Sequence, residues 1–174
     1  MDREESPYRR GNRYDVLPIP MVVEHCHPVD AGPVQLIVES RRLTNAILED
    51  TYPDGAPVAR VDFDDHGASL HVCGTADGLE HVRFDCFEHE PHYHYIEHAT
   101  GSNVIVRIDE VAVGDPVDFT LRCVRERLPE MLESAGQPEL AAATRADLAT
   151  VHAALDRVTE LMARADTRDA APAR

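Results

Sequence analysis

The chain has 174 residues, 43% of them hydrophobic, and a formal net charge of −15. That is enough apolar material for one packed domain, and so acidic a surface disfavours nucleic acid and anionic membranes as partners. All 17 basic residues are Arg, which excludes lysine Schiff-base chemistry and a P-loop; coding by a GC-rich bacterial genome accounts for it, with salt adaptation as the second reading.

Residues 1–14 are charged and aperiodic and predict a flexible arm without the apolar core of a signal peptide. Pro18 and Pro20 confine the segment from Val16 to His27 to an edge or an irregular extended path. Val34–Glu39 predicts a strand, Leu43–Leu48 a strand or one helical turn, and 51–57 a turn. Five short alternating runs follow, at 58–63, 68–73, 79–87, 92–98 and 103–109. The links between them (64–67, 74–78, 88–91 and 99–102) carry Gly, Pro, Asp or Ser, which tight turns demand. Such links predict an antiparallel meander. Asp115 is a good N-cap with Pro116 at the first helical position. An apolar stripe runs from Val117 to Leu132, and Pro129 predicts a kink or break near Leu128. Gly136 ends this helix, and Pro138 begins a second that runs to about Ala165. The expected architecture is α+β: an antiparallel β-meander sheet of five to seven strands (about 16–109) with a C-terminal helical pair (about 116–165) packed on one face. Residues 15–165 form the domain and 166–174 a flexible tail. No apolar run approaches the length of a membrane span.

Nine of the ten histidines lie between His25 and His98, and imidazole both ligates metals and titrates near neutral pH. Strand alternation puts Val61, Phe63, Leu70, Val72, Val82, Phe84, Cys86, Val104, Val106 and Ile108 on a core face. The opposite face then carries Arg60, His71, His81, Arg83, Asp85, His92, His94, His98, Arg107 and Asp109. The short links predict a row His71–His81–His98 and a row Asp85–His94–Arg107, with neighbours within side-chain reach. Three histidines on adjacent strands can hold a divalent transition metal (Zn, Fe or Mn) with one position open. A carboxylate on one nitrogen of His94 frees the other as a general base, and Arg107 can hold an anionic substrate group. Arg83, His92 and Asp109 complete the ligand-binding face.

Other residues carry less. His66 and His89 fall in predicted turns and His152 on a helix surface; His25 and His27 share a face of their own strand. None of the four cysteines forms a C-x-x-C pair, so the thiols are expected reduced, in a cytoplasmic protein. Cys86 is expected inert in the core, and Cys73, beside His71, is the more reactive candidate.

His92, His94 and Glu97 share residue types with the first cupin motif, but the spacing differs, no second motif follows, and alternation turns Glu97 away from both histidines. The string FDCFEHEPHYHY (84–95), with IDEVAVGD (108–115) and VRERLPEMLESAG (124–136), resembles an uncharacterised family of small bacterial proteins. That resemblance implies a compact domain and assigns no catalytic residue. Two functions are expected: a metal or small-ligand site on the histidine face, with hydrolase or lyase chemistry, or a non-catalytic assembly or accessory subunit of a larger enzyme. A homodimer is expected in either case.

Overall fold

The computed structural model describes residues 10–55 and 62–168. Its strands are β1 (Asn12–Tyr14), β2 (Cys26–Ala31), β3 (Val34–Thr44), β4 (Asp64–Gly74), β5 (Glu80–Phe87), β6 (His92–Glu97) and β7 (Ser102–Arg107). They form one seven-stranded sheet in the order β1-β7-β6-β5-β4-β3-β2, and every neighbouring pair is antiparallel. Its helices are α1 (Asn45–Thr51), α2 (Glu110–Val113), α3 (Pro116–Ser134), α4 (Pro138–Ala146) and α5 (Leu148–Ala165). The α+β class and the packing of C-terminal helices on one sheet face are those expected from the alternation.

α5 covers β2, β3 and β4, while α3 covers β5 and β6. The core forms where Leu36, Leu70, Val72 and Phe84 of the sheet meet Val124, Leu128, Leu155 and Met162. Asp115 caps α3 as expected, accepting from the Val117 and Asp118 N–H groups at 2.8 and 3.0 Å. Pro129 does not break α3. A proline removes the N–H that would reach the carbonyl four residues earlier, here Arg125. His152 of α5 donates to that carbonyl from Nε2 at 2.8 Å, so this histidine has a structural partner rather than water alone. The expected second helix is two, because the chain turns at Asp147.

Several strand expectations need correction. Asp64–Gly67, read as a turn, belongs to an eleven-residue β4 that pairs with β3 along its whole length. His66 is therefore a strand residue, bonded to Glu88 and Thr167. The connection from β3 to β4 holds α1, where Leu43–Leu48 left strand or helix open. Phe63 precedes β4 and lines a cavity on the histidine side; Val58, Arg60 and Val61 lie outside the described residues. Asn12–Tyr14 of the expected arm pairs with β7, and residues 1–9 and 169–174 lie outside the described residues.

Register differs from expectation by two residues at three successive pairings. His71 faces Arg83 rather than His81. Asp85 faces His92 rather than His94. Arg107 faces His92 rather than His94. A slip of two preserves the side of the sheet on which each residue lies, whereas a slip of one reverses it. The faces therefore survive although the partners change.

β1 and β2 sit on opposite edges although they are consecutive in the chain. Six inter-strand steps of about 4.8 Å separate them, roughly 29 Å. The intervening residues 15–25 can span roughly 36–40 Å when extended, so they must cross the sheet nearly straight. Pro18 and Pro20 suit that path because they hold the chain extended and leave no N–H unpaired. This strap crosses the histidine face, opposite α3 and α5. Its carbonyls accept hydrogen bonds from alternate strands of the sheet. Asn103 of β7 donates to Val16 at 2.6 Å, Arg83 of β5 to Ile19 at 2.8 Å, and Arg41 of β3 to Ile19 and Pro20 at 2.8 and 3.2 Å. Tyr52, just beyond α1, donates to Leu17 at 2.7 Å.

The sheet is tightest at Gly67, where a Cβ would stand 2.1 Å from the Cys86 carbonyl oxygen. Backbone cannot yield as a side-chain tip can, so Gly67→Ala is expected to cost about 2 kcal/mol. A lowered urea midpoint with unchanged helix and strand signal would show it; an unchanged midpoint would contradict this close approach.

Candidate functional site

Beneath the strap lies a layer of charged and polar side chains. Glu39, Arg41, Ser69, His71, Arg83, Asp85 and His94 are all buried. Charge without water requires partners, and most of this layer supplies them internally. Arg41 bonds Glu39 at 2.8 Å. Arg83 grips Glu80 with two parallel bonds, Nε to Oε1 at 2.7 Å and Nη2 to Oε2 at 2.6 Å. His71 stands between the pairs, with Nε2 2.9 Å from Glu39 and Nδ1 2.6 Å from Glu80. Burial opposes the Glu80 charge, but the Arg83 charge and the bonds from His71 and Arg83 outweigh it and hold the carboxyl at about 2. Burial also opposes the Glu39 charge; His71, Arg41 and the Val22 N–H (2.9 Å) prevail and lower its pKa.

A second cluster sits beside this network. Asp85, His92 and His94 present ligand atoms that all lie within 4.8 Å of one another, the one such group found among the described residues. Asp85 Oδ1 accepts from the Ser69 hydroxyl, leaving Oδ2 facing both imidazoles. Oδ2 is 3.1 Å from His94 Nε2 and 3.4 Å from His92 Nε2. The other nitrogen of each ring is committed. His92 Nδ1 lies 2.7 Å from the Glu90 carbonyl, which can only accept. His94 Nδ1 lies 2.9 Å from Asn103 Oδ1, and the donation from Asn103 Nδ2 to Val16 fixes which end of that amide is the oxygen. Both Nδ1 atoms therefore carry hydrogen, and a neutral ring then turns an Nε2 lone pair toward Asp85. Burial, followed by the neighbouring His94, lowers the pKa of His92 despite the Asp85 charge. Burial opposes the Asp85 charge, yet the His94 bond and the charges of Arg83, His92 and His94 hold its carboxyl well below the usual range.

These groups open on a cavity of about 210 Å³ between sheet, strap and α1. Arg41, Arg83, Asp85, His92, His94 and Arg107 line its polar side, and Leu43, Leu48, Phe63 and Ile105 contribute apolar wall. Arg107 is exposed and shows no ion pair or side-chain hydrogen bond among the described residues.

The structure thus brings together Asp85, His92, His94, Arg83 and Arg107 of the residues chosen from the sequence. It does not gather His71, His81 and His98 into one ligand set. His71 is held between carboxylates, His81 Nε2 lies 3.0 Å from Asp77 Oδ2, and His98 Nε2 lies 2.7 Å from the Glu80 carbonyl. The His81 and His98 rings pack edge to face at 5.9 Å. Asp109 is exposed and caps α2 through the Val111 N–H at 3.1 Å. Cys73 is buried, and burial pushes its thiol up to about 12, so it holds almost no thiolate at neutral pH; Cys86 is likewise pushed to about 12.

Sequence reasoning missed Glu39, Arg41, Ser69, Glu80 and Asn103. The Ser69 and Asn103 positions follow from alternation alone, since both share the parity of His71 and Arg107 on their strands. Glu80 breaks alternation because the β4–β5 register shifts at Val72 and Cys73, a bulge that turns its carboxylate toward His71 and Arg83.

The chain belongs to the family described as a domain of unknown function, DUF7700, which matches residues 28–162. No curated protein and no solved structure matches it. Among the described residues, no helix is long and apolar enough to cross a membrane.

Glu80→Gln is expected to remove about 3 kcal/mol of stability by leaving Arg83 buried with half its partner. The Glu80 carboxyl sits lower in the folded chain than in the unfolded one, so its contribution is full above about pH 4.5 and fades as pH falls toward 2. Urea titrations from pH 6 to pH 2.5 should show a shallower acid loss in the variant. Parallel pH curves for variant and parent would contradict the assignment.

Proposed function

We propose that the protein is a metal-dependent enzyme acting on a small molecule, its metal held by Asp85, His92 and His94. One observation carries this reading: both imidazoles commit Nδ1 to an oxygen acceptor and aim Nε2 at the same carboxylate oxygen. Three acceptors facing one another repel unless a cation lies among them. A proton on His94 Nε2 would bond Asp85 at 3.1 Å, but His92 Nε2 would still turn a lone pair toward that carboxylate, and burial and the adjacent imidazole work against a charge on His92. A divalent ion satisfies all three at once. Two imidazoles and one carboxylate suit Zn(II), Fe(II) or Mn(II), and three protein ligands leave coordination open to a substrate.

The surroundings fit that use. Glu90 and Asn103 orient the rings and Ser69 the carboxylate, as outer-shell partners of metal ligands do. A metal here would polarise a substrate oxygen or acidify a bound water, which is hydrolase or lyase chemistry. The strap and α1 flank the site.

Protein purified without a His-tag and dialysed against zinc, iron(II) or manganese should retain about one ion per chain by elemental analysis. His94→Gln and Asp85→Asn should abolish retention, and Asn103→Leu should weaken it about 10–100-fold. His81→Gln should leave it unchanged. An ion that survives His94→Gln but departs with His81→Gln would move the centre to the His71–His81–His98 row, and an ion-free parent would sink it altogether.

A further inference from the structure

Three arginines line the cavity, and two have both terminal nitrogens bonded. Arg41 is bonded to Glu39 and the strap, and Arg83 to Glu80 and the strap. Arg107 alone keeps its guanidinium free of ion pairs and hydrogen bonds among the described residues. It stands directly across from His92 in the β6–β7 register, on the same face. Side chains so opposed begin about 4.5–5.5 Å apart, so the long Arg107 side chain reaches a group held at His92. Resting on the metal reading above, we infer that the substrate is a small apolar carboxylate, with its carboxylate between the metal and Arg107 and its body in the cavity.

Three features select that class. A carboxylate offers two oxygens to the planar fork of a guanidinium, which binds it bidentately. A phosphoryl group offers three, and among the described residues no second guanidinium of the cavity has its terminal nitrogens free to meet them. The body must be apolar because Leu43, Leu48, Phe63 and Ile105 form its wall. It must be small because the cavity, at about 210 Å³, falls below the roughly 300–1,000 Å³ of sites that hold drug-sized ligands. A further donor on the wall is unspent: Arg41 Nε is buried with no acceptor among the described residues, and a buried N–H left unpaired is costly.

The cobalt(II)-loaded full chain tests this, because its visible spectrum reports both metal binding and a change of ligand at the metal. Acetate, isovalerate and phenylacetate would each be titrated against the corresponding neutral amide. We expect isovalerate or phenylacetate to perturb the spectrum at concentrations at least tenfold below its amide, and acetate to bind more weakly than either. Arg107→Gln should lose about tenfold or more in carboxylate affinity with cobalt still bound at one per chain, and Arg107→Lys should recover part of that loss. If cobalt binds but no carboxylate outcompetes its amide, or if Arg107→Gln changes nothing, the substrate class is wrong and the metal centre stands. If cobalt does not bind, the metal centre itself is wrong and the inference falls with it.

Discussion

A buried layer of charge lies between the sheet and the strap, and removing charge from water is tolerable only where opposite charge and hydrogen bonds replace the lost hydration. Glu39 with Arg41 and Glu80 with Arg83 meet that requirement pairwise, and His71 links the pairs. Both guanidinium groups also donate to backbone oxygens of the strap. The charges and the strap thus hold one another in place: without the strap the arginines lose acceptors, and without the arginines the strap loses its anchors on β3 and β5.

The strap exists because of one departure from chain order. Were β1 paired beside β2, the sheet would be a plain meander with one face on the helices and the other in water. Placing β1 beyond β7 obliges the chain to recross all the strands between. The polar face then becomes an interior with its own cavity. α1 and Tyr52, in the long connection from β3 to β4, close the same side. This topology turns the histidine face of the sheet into a covered, oriented cluster.

Much of this was legible in the sequence, for a reason that also sets its limit. Side chains alternate with a period of two, so parity placed His71, Arg83, Asp85, His92, His94 and Arg107 on one side without knowledge of pairing. Pairing itself depends on where each hairpin closes. Cys86 and Phe87 pair only with β4, so β6 joins β5 two residues later than a four-residue turn implies. That shift put His92, rather than His94, opposite Asp85, and an equal shift in the β6–β7 hairpin put it opposite Arg107. The bulge at Cys73 hid Glu80 in a different way, by breaking the parity itself. Asn103 and Ser69 had the right parity but were passed over because a neutral residue on a polar face looks solvated until something covers it. What covers it is the strap, and no local pattern in a segment containing Pro18 and Pro20 says that its carbonyls will lie against Arg41 and Arg83.

Burial also helps to separate structural charge from chemical charge. Under the strap a charged group with protein partners is accounted for by folding, and that describes Glu39, Glu80, Arg83 and, apart from its Nε, Arg41. Asp85, His92 and His94 are different: their outward atoms are bonded to Ser69, Glu90 and Asn103, while with both rings neutral the atoms they turn toward one another are all acceptors. A fold selected for stability alone would have little reason to assemble three acceptors and then fix each with a separate outer partner, since an apolar trio of the same size would be no less stable. The same reasoning extends to Arg107, the one cavity arginine that folding leaves uncommitted. Asp85, His92, His94 and Arg107 lie beside one another across β5, β6 and β7 and line the cavity beneath the strap, and that coincidence is what turns a buried polar layer into a candidate reaction site.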